Sequence, residues 1–147
     1  MAEHNIIGQK GEQIAVETMR KKGFRVVDTN WKFGHLEMDV IAVNRKEIAF
    51  VEVKTRTSSF GDKRPEEFVD ELKRRRMAAA ANAYIKIHQI ELVPRFDIIG
   101  ISMDPNTYEV KELTHLEDAF LPPLRTIGKS SFSGQGRWKH RNRVIGR

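Results

Sequence analysis

The stretch GHLEMDVIAVNRKEIAFVEVKTR, residues 34–56, decides the fold, because it predicts two apolar strands joined by a short polar turn. The strands cover 36–43 and 48–55, and two charged residues interrupt each of them. Charged side chains are rarely left within apolar strands unless something pairs with them. The hairpin therefore predicts a functional site as well as the middle of a sheet.

The register of this hairpin brings two carboxylates together. If the turn lies between Val43 and Ile48, Asp39 lies directly opposite Glu52, with Cβ atoms about 5 Å apart. Two carboxylates this close repel each other unless a cation or a proton lies between them. Hard oxygen ligands suit Mg²⁺ or Mn²⁺, and such an ion activates water against a phosphodiester. We therefore expect Asp39 and Glu52 to bind Mg²⁺ or Mn²⁺ and to be catalytic.

Further residues extend this predicted site. Lys54 follows Glu52 on the same face and is expected to orient the attacking water, and the main-chain carbonyl of Val53 is a candidate third metal ligand. Glu37 is expected opposite Lys54, where an ion pair is favoured over metal binding. Glu12 lies on the apolar stripe of the first helix, so its carboxylate is placed to reach the metal or its hydration shell. The alternative for Glu12 is that it only favours the helix dipole.

The remaining segments predict a mixed central sheet of five strands flanked by helices, in an α/β or α+β domain. The order is α-β-β-β-α-β-β, a three-strand meander followed by a crossover helix and two more strands. Helices are predicted over 5–22 and 66–88, and strands over 24–32, 36–43, 48–55, 95–102 and 107–113. A single domain over 1–121, followed by a flexible tail over 122–147, is expected.

The charge of the chain is concentrated in this tail. There are 26 Lys and Arg residues against 20 Asp and Glu, a net charge of +6, and seven of the basic residues but no acid follow residue 121. A basic tail with interleaved aromatic residues suits nucleic acid, and we favour DNA over RNA. The alternative is an uncommitted solubilising extension. The candidate nucleic-acid contacts are Lys73 and Arg76 on the second helix and Lys129, Arg137, Trp138, Lys139, Arg141 and Arg143 in the tail.

Several classes of protein are disfavoured by composition. The absence of cysteine excludes a disulfide framework and a thiolate zinc site, and the histidines show no zinc-binding spacing. No apolar run has the length of a membrane span, so a cytoplasmic protein with no membrane partner is expected. Asp97 is a secondary candidate, with a structural role at the end of a strand as the alternative.

A family resemblance joins these observations. The segments GQKGEQIAVETMRKKGFRVVDTNWK, GHLEMDVIA, FVEVKTR and RFDIIGI, between Gly8 and Ile101, resemble the YraN-like family of bacterial proteins described as endonucleases. That family belongs to the restriction-endonuclease-like, or PD-(D/E)xK, superfamily and is similar to archaeal Holliday-junction resolvases. The resemblance implies a restriction-endonuclease-like fold, with the catalytic helix acid, Asp, Glu and Lys at Glu12, Asp39, Glu52 and Lys54.

These observations predict a metal-dependent nuclease that hydrolyses phosphodiester bonds, with branched or otherwise structured DNA favoured as substrate. A homodimer would suit symmetric cleavage of two strands. Two other classes stay open: a nucleic-acid-binding module with the nuclease fold but little or no cleavage, and an adaptor whose tail docks an acidic protein. For Asp39, Glu52 and Lys54 the simpler alternative is a cross-strand ion pair on a solvated sheet face.

Overall fold

The computed structural model describes residues 3–61, 63, 67 and 69–121. The predicted tail contacts Lys129, Arg137, Trp138, Lys139, Arg141 and Arg143 lie outside these described residues, and the domain boundary after residue 121 stays a prediction. The elements are α1 Glu3–Lys21, β1 Arg25–Phe33, β2 Leu36–Val43, β3 Glu47–Arg56, α2 Glu71–His88, β4 Val93–Met103 and β5 Val110–Leu116.

The strands form one five-stranded mixed sheet in the order β1-β2-β3-β4-β5. β3 and β4 are parallel, with α2 as the crossover between them, and the other neighbours are antiparallel. The predicted fold class and the order α-β-β-β-α-β-β are confirmed. In the described part of the chain, neither helix has the length and apolar character needed to cross a bilayer.

Each helix covers one face of the sheet, so the protein has two apolar cores. On one face Met77, Ala81 and Tyr84 of α2 pack with Ile48 and Phe50 of β3. On the other face Ala15 and Met19 of α1 pack with Ala49 and Val51 of the same strand. Because side chains alternate along a strand, β3 is buried on both sides, and its even-numbered residues face α2. Glu52 and Lys54 therefore lie on the α2 face.

The start of α2 differs from the prediction of residue 66. The helix begins at Glu71, because the Asp70 side chain accepts a 2.8 Å hydrogen bond from the Lys73 N–H and acts as the N-cap. The charge run of α2 pairs within its first turns, where Arg75 lies 2.8 Å from Glu71.

The last strand also begins later than predicted. Asp104 accepts the N–H groups of Asn106 and Thr107 at 2.7 and 2.9 Å, which closes a turn, and Tyr108 adopts a positive φ of 63°. Both features belong to the turn that precedes the strand, so β5 starts at Val110 rather than at 107.

Candidate active site

The hairpin of β2 and β3 has the predicted register but a shorter ladder. Val43 pairs with Ile48 as predicted, and the pairing continues in the same register to Val40 and Val51. Among the described pairs the ladder ends there, one pair before Asp39. The prediction that the ladder runs on through the charged residues was therefore wrong.

The two strands part because a side chain replaces a main-chain acceptor. The Oδ2 atom of Asp39 accepts a 2.8 Å hydrogen bond from the Val53 N–H, which satisfies a donor that the ladder leaves unpaired. Glu37 is exposed, and its partner in the sheet is Lys32 of β1. The predicted pairing of Glu37 with Lys54 across β2 and β3 is absent from the described ladder.

The carboxyl groups of Asp39 and Glu52 nevertheless adjoin each other. Glu52 is only 5% exposed, and burial followed by the negative charge of Asp39 raises its pKa from 4.5 to about 7. Burial also raises the pKa of Asp39, while the Val53 N–H, the Lys73 charge and a hydrogen bond with Glu52 act in the opposite direction. Because the pKa of each group is raised, the pair resists carrying two negative charges at once.

Two lysines face this pair, although only one was assigned to the site from the sequence. Lys54 lies two residues beyond Glu52 on the same face of β3, and its charge opposes the rise in the pKa of Glu52. Lys73 reaches across from α2, with Nζ 3.4 Å from Glu52 Oε1. Lys73 was predicted as a nucleic-acid contact, and the structure brings it onto the carboxylate pair. Arg76, the other predicted contact of this helix, is exposed.

Glu12 approaches the pair from α1. Burial raises the pKa of Glu12, and the negative charges of Asp39 and Glu37 raise it further. The Glu12 carboxyl therefore lies close enough to these two acids to feel their charge. The Oε1 atom of Glu12 accepts a 2.8 Å hydrogen bond from the Nδ2 of Asn30. The predicted inward direction of Glu12 is consistent with this placement, although its nearest polar partner is an amide rather than an acid.

Asn30 is a neighbour of the site that the sequence interpretation missed. It lies within β1 with φ of 51°, a left-handed conformation that asparagine tolerates better than most residues. Asparagine is also uncommon in strands. An asparagine within a predicted strand was therefore a signal of a local distortion, and the register of β1 with β2 also shifts nearby, between Val26 and Asp28.

Gly11 brings the helix close enough for Glu12 to take this position. A Cβ atom at residue 11 would collide with the side chain of Thr55, near the end of β3. The absence of a side chain therefore permits close contact between α1 and the end of the strand that carries Glu52.

The donor set fits a hard divalent cation that is mostly coordinated by water. Within the described residues, no three His, Asp or Glu side chains gather closely enough to hold a metal ion together. Asp39 and Glu52 supply two carboxylates, and Mg²⁺ is commonly bound through one or two carboxylates, with waters and phosphate oxygens as its other ligands. The Val53 carbonyl and the Glu12 carboxylate as contributors to such a site stay predictions.

Asp97, the secondary candidate, belongs to a different part of the molecule. It is fully buried in the middle of β4 rather than at the strand end, on the α1 face. Its carboxylate accepts from Arg95 at 2.9 Å and from the Asp118 N–H at 3.0 Å, and it lies 2.7 Å from Nε2 of His115. The arginine in turn lies over the ring of Phe24. These contacts are those of a structural acid.

Comparisons with known proteins place the chain among uncharacterised relatives. A family model described as "Uncharacterised protein family UPF0102" matches residues 11–101. The chain is similar to a UPF0102 protein of Bacteroides thetaiotaomicron, with 40% identity over 84% of this chain and 99% of the relative. It is also similar to UPF0102 proteins of Parabacteroides distasonis, with 42% identity over 85% and 100%, and of Porphyromonas gingivalis, with 39% identity over 89% and 96%.

Proposed function

This chain belongs to the UPF0102 family, a restriction-endonuclease-like group, and from that premise we propose that it is a divalent-metal-dependent nuclease. The resemblance to the YraN-like family is confirmed by this membership. The proposed reaction is hydrolysis of phosphodiester bonds in nucleic acid, with branched or otherwise structured DNA as the preferred substrate.

The juxtaposition of Asp39 and Glu52 carries the proposal. Placing the half-buried Asp39 carboxyl beside the buried Glu52 carboxyl is unfavourable, because both desolvation and mutual repulsion oppose their ionisation. The raised pKa of Glu52, about 7, records that opposition. A divalent cation relieves both effects at once, so the arrangement is better suited to binding a metal than to supporting the sheet.

The roles of the individual groups follow from their positions. A bound Mg²⁺ or Mn²⁺ supplies positive charge to the scissile phosphate and acidifies water near it. Asp39 and Glu52 would hold the ion, and the hydrogen bond from Val53 fixes one Asp39 oxygen so that the other is free to face the ion. Lys54 would orient the attacking water or stabilise the negative charge that develops in the transition state. Glu12, held by Asn30, would orient the hydration shell from the α1 side.

The proposal is tested by cleavage of labelled duplex, single-stranded, flap and four-way-junction DNA in Mg²⁺, Mn²⁺ or EDTA. Native protein is compared with Asp39→Asn and Glu52→Gln. Glu17→Gln is the matched control, because Glu17 is an exposed acid of α1 that pairs with Arg20. Cleavage that requires metal, is lost in both site variants and persists in the control supports the nuclease.

Binding without cleavage would favour a different function. Tight binding of DNA that neither EDTA nor the two site substitutions alter would replace the nuclease with a nucleic-acid-binding module of the same fold. The same panel made with RNA tests the preference for DNA, and sedimentation of the complex tests whether two copies act together. Removal of residues 122–147 tests the proposed contribution of the basic tail. The shortened protein should bind nucleic acid less tightly, and its affinity should depend less on salt concentration.

A further inference from the structure

Lys73 occupies an unfavourable position for a cation unless the carboxylate pair needs it. It is the third residue of α2, beside the N-cap Asp70, where the helix dipole disfavours positive charge. The side chain is 37% exposed, and its ammonium group lies 3.4 Å from Glu52 Oε1. A contact made against the helix dipole indicates a local demand for positive charge.

That demand comes from the two acids. Glu52 is buried and the neighbouring Asp39 is half-buried, and the charge of Lys73 acts on both of them. Lys73 also belongs to the helix rather than to the hairpin that carries the acids. Its long side chain can therefore leave the pair without any movement of the strands.

The ammonium group and a divalent ion would compete for the same carboxylate. A metal ion held by Glu52 would share that group with Lys73, whose Nζ lies 3.4 Å from Oε1. Two cations at one carboxylate repel each other strongly in a partly desolvated site. Because the lysine is partly exposed, it has solvent to move into, whereas the metal would be held by two acids.

We propose that Lys73 is a displaceable counter-cation, which neutralises the carboxylate pair in the metal-free protein and leaves Glu52 when a divalent metal binds. This inference rests on the proposed function for the presence of the metal. It also deepens that function, because the released ammonium group becomes available to a phosphate of the nucleic-acid backbone beside the metal. The site then presents its full positive charge to the substrate only when the metal is in place.

The first test is the affinity of the protein for Mg²⁺ and Mn²⁺, measured by titration calorimetry without nucleic acid. Lys73→Gln removes the competitor, so its Kd for metal should be about tenfold lower than that of the native protein, equivalent to about 1.4 kcal/mol. Lys73→Arg keeps the charge and should bind metal no more tightly than the native protein. Arg75→Gln, which removes an exposed charge from the same helix, should leave the Kd unchanged.

The second test follows the lysine itself in the native protein. Amine acetylation is quantified at each lysine by mass spectrometry, with and without Mg²⁺. Lys73 should be acetylated slowly in the metal-free protein and several times faster with Mg²⁺, whereas the exposed Lys111 should not change. In Glu52→Gln, Lys73 should react at the faster rate whether or not Mg²⁺ is present.

The outcomes separate this inference from the function on which it rests. Tighter metal binding by Lys73→Gln together with faster acetylation of Lys73 in Mg²⁺ supports displacement. Metal binding that Lys73→Gln weakens or leaves unchanged overturns displacement but not the nuclease. Failure of both native protein and Lys73→Gln to bind either metal overturns the metal site itself, and the inference with it.

Discussion

Replacement of Glu52 by glutamine should make the metal-free protein more stable at alkaline pH. Glutamine keeps the shape of the side chain, but it removes a charge that burial and Asp39 oppose. The pKa of Glu52 is raised from 4.5 to about 7 in the folded protein. Between these two values the unfolded chain has lost the proton that the folded protein keeps.

The sign of the effect follows from this difference in bound protons. Because the folded state binds more protons in that window, the free energy of unfolding falls as the pH rises, and the loss is complete above about pH 7. A shift of this size is equivalent to about 3 kcal/mol. Glu52 is 5% exposed, so solvent screening reduces this value little. The variant should therefore match the native protein near pH 4 and exceed it by up to that amount at pH 8.

The assay is urea denaturation followed by circular dichroism, at several values from pH 4 to pH 8, in EDTA. The difference in free energy of unfolding between the two proteins at each pH reports the titration of Glu52, because all other groups titrate in both. Saturating Mg²⁺ at pH 8 should stabilise the native protein and have little effect on the variant, because only the native pair binds it. Parallel pH profiles, or a native protein more stable than the variant at pH 8, would refute the reasoning.

Three further substitutions test the structure around the site by the same denaturation assay. Asp39→Ala should be less stable than Asp39→Asn by about 2 kcal/mol, because only asparagine still accepts from the Val53 N–H; equal stabilities would contradict that role. Gly11→Ala should destabilise the protein by about 1–3 kcal/mol through collision with Thr55, and Thr55→Ala in the same chain should restore part of the loss. Asp97→Asn should lower the free energy of unfolding by about 3 kcal/mol, because it removes the fully buried charge that contacts both Arg95 and His115, yet leave the Kd for Mg²⁺ unchanged; a weakened Kd would show that the two faces are coupled.

The hairpin is the part of the structure that local sequence predicts well. Alternation of side chains and a four-residue polar turn are properties of adjacent residues, so the pairing of Val43 with Ile48 could be deduced without any other part of the chain. The same alternation predicts that Asp39 lies close to Glu52. It does not predict that the strands part there, because the cause is the Asp39 side chain, which accepts from the main-chain N–H of Val53.

Contacts between segments distant in sequence could not be predicted from local sequence patterns. The position of Lys73 depends on where α2 starts and how it crosses the sheet, and the N-cap that fixes the start was not identified. One buried partner of Asp97, His115, comes from β5, whose position in sequence was shifted by a turn. Both boundaries are set by hydrogen bonds of one aspartate, Asp70 or Asp104, to nearby main-chain N–H groups, whereas the contacts themselves depend on packing across the sheet.

The hydrogen bond between Asp39 and Val53 has a consequence for how other members of the family should be interpreted. An aspartate at this position contributes to the sheet whether or not the protein cleaves nucleic acid, so its presence in a relative is weak evidence of activity. Glu52 makes no such contribution, and its buried charge is a burden to a chain that binds no metal. Relatives that no longer catalyse the reaction should therefore lose the acid at position 52 before the one at position 39. A relative that keeps only the aspartate would then be identified as one in which activity has been lost.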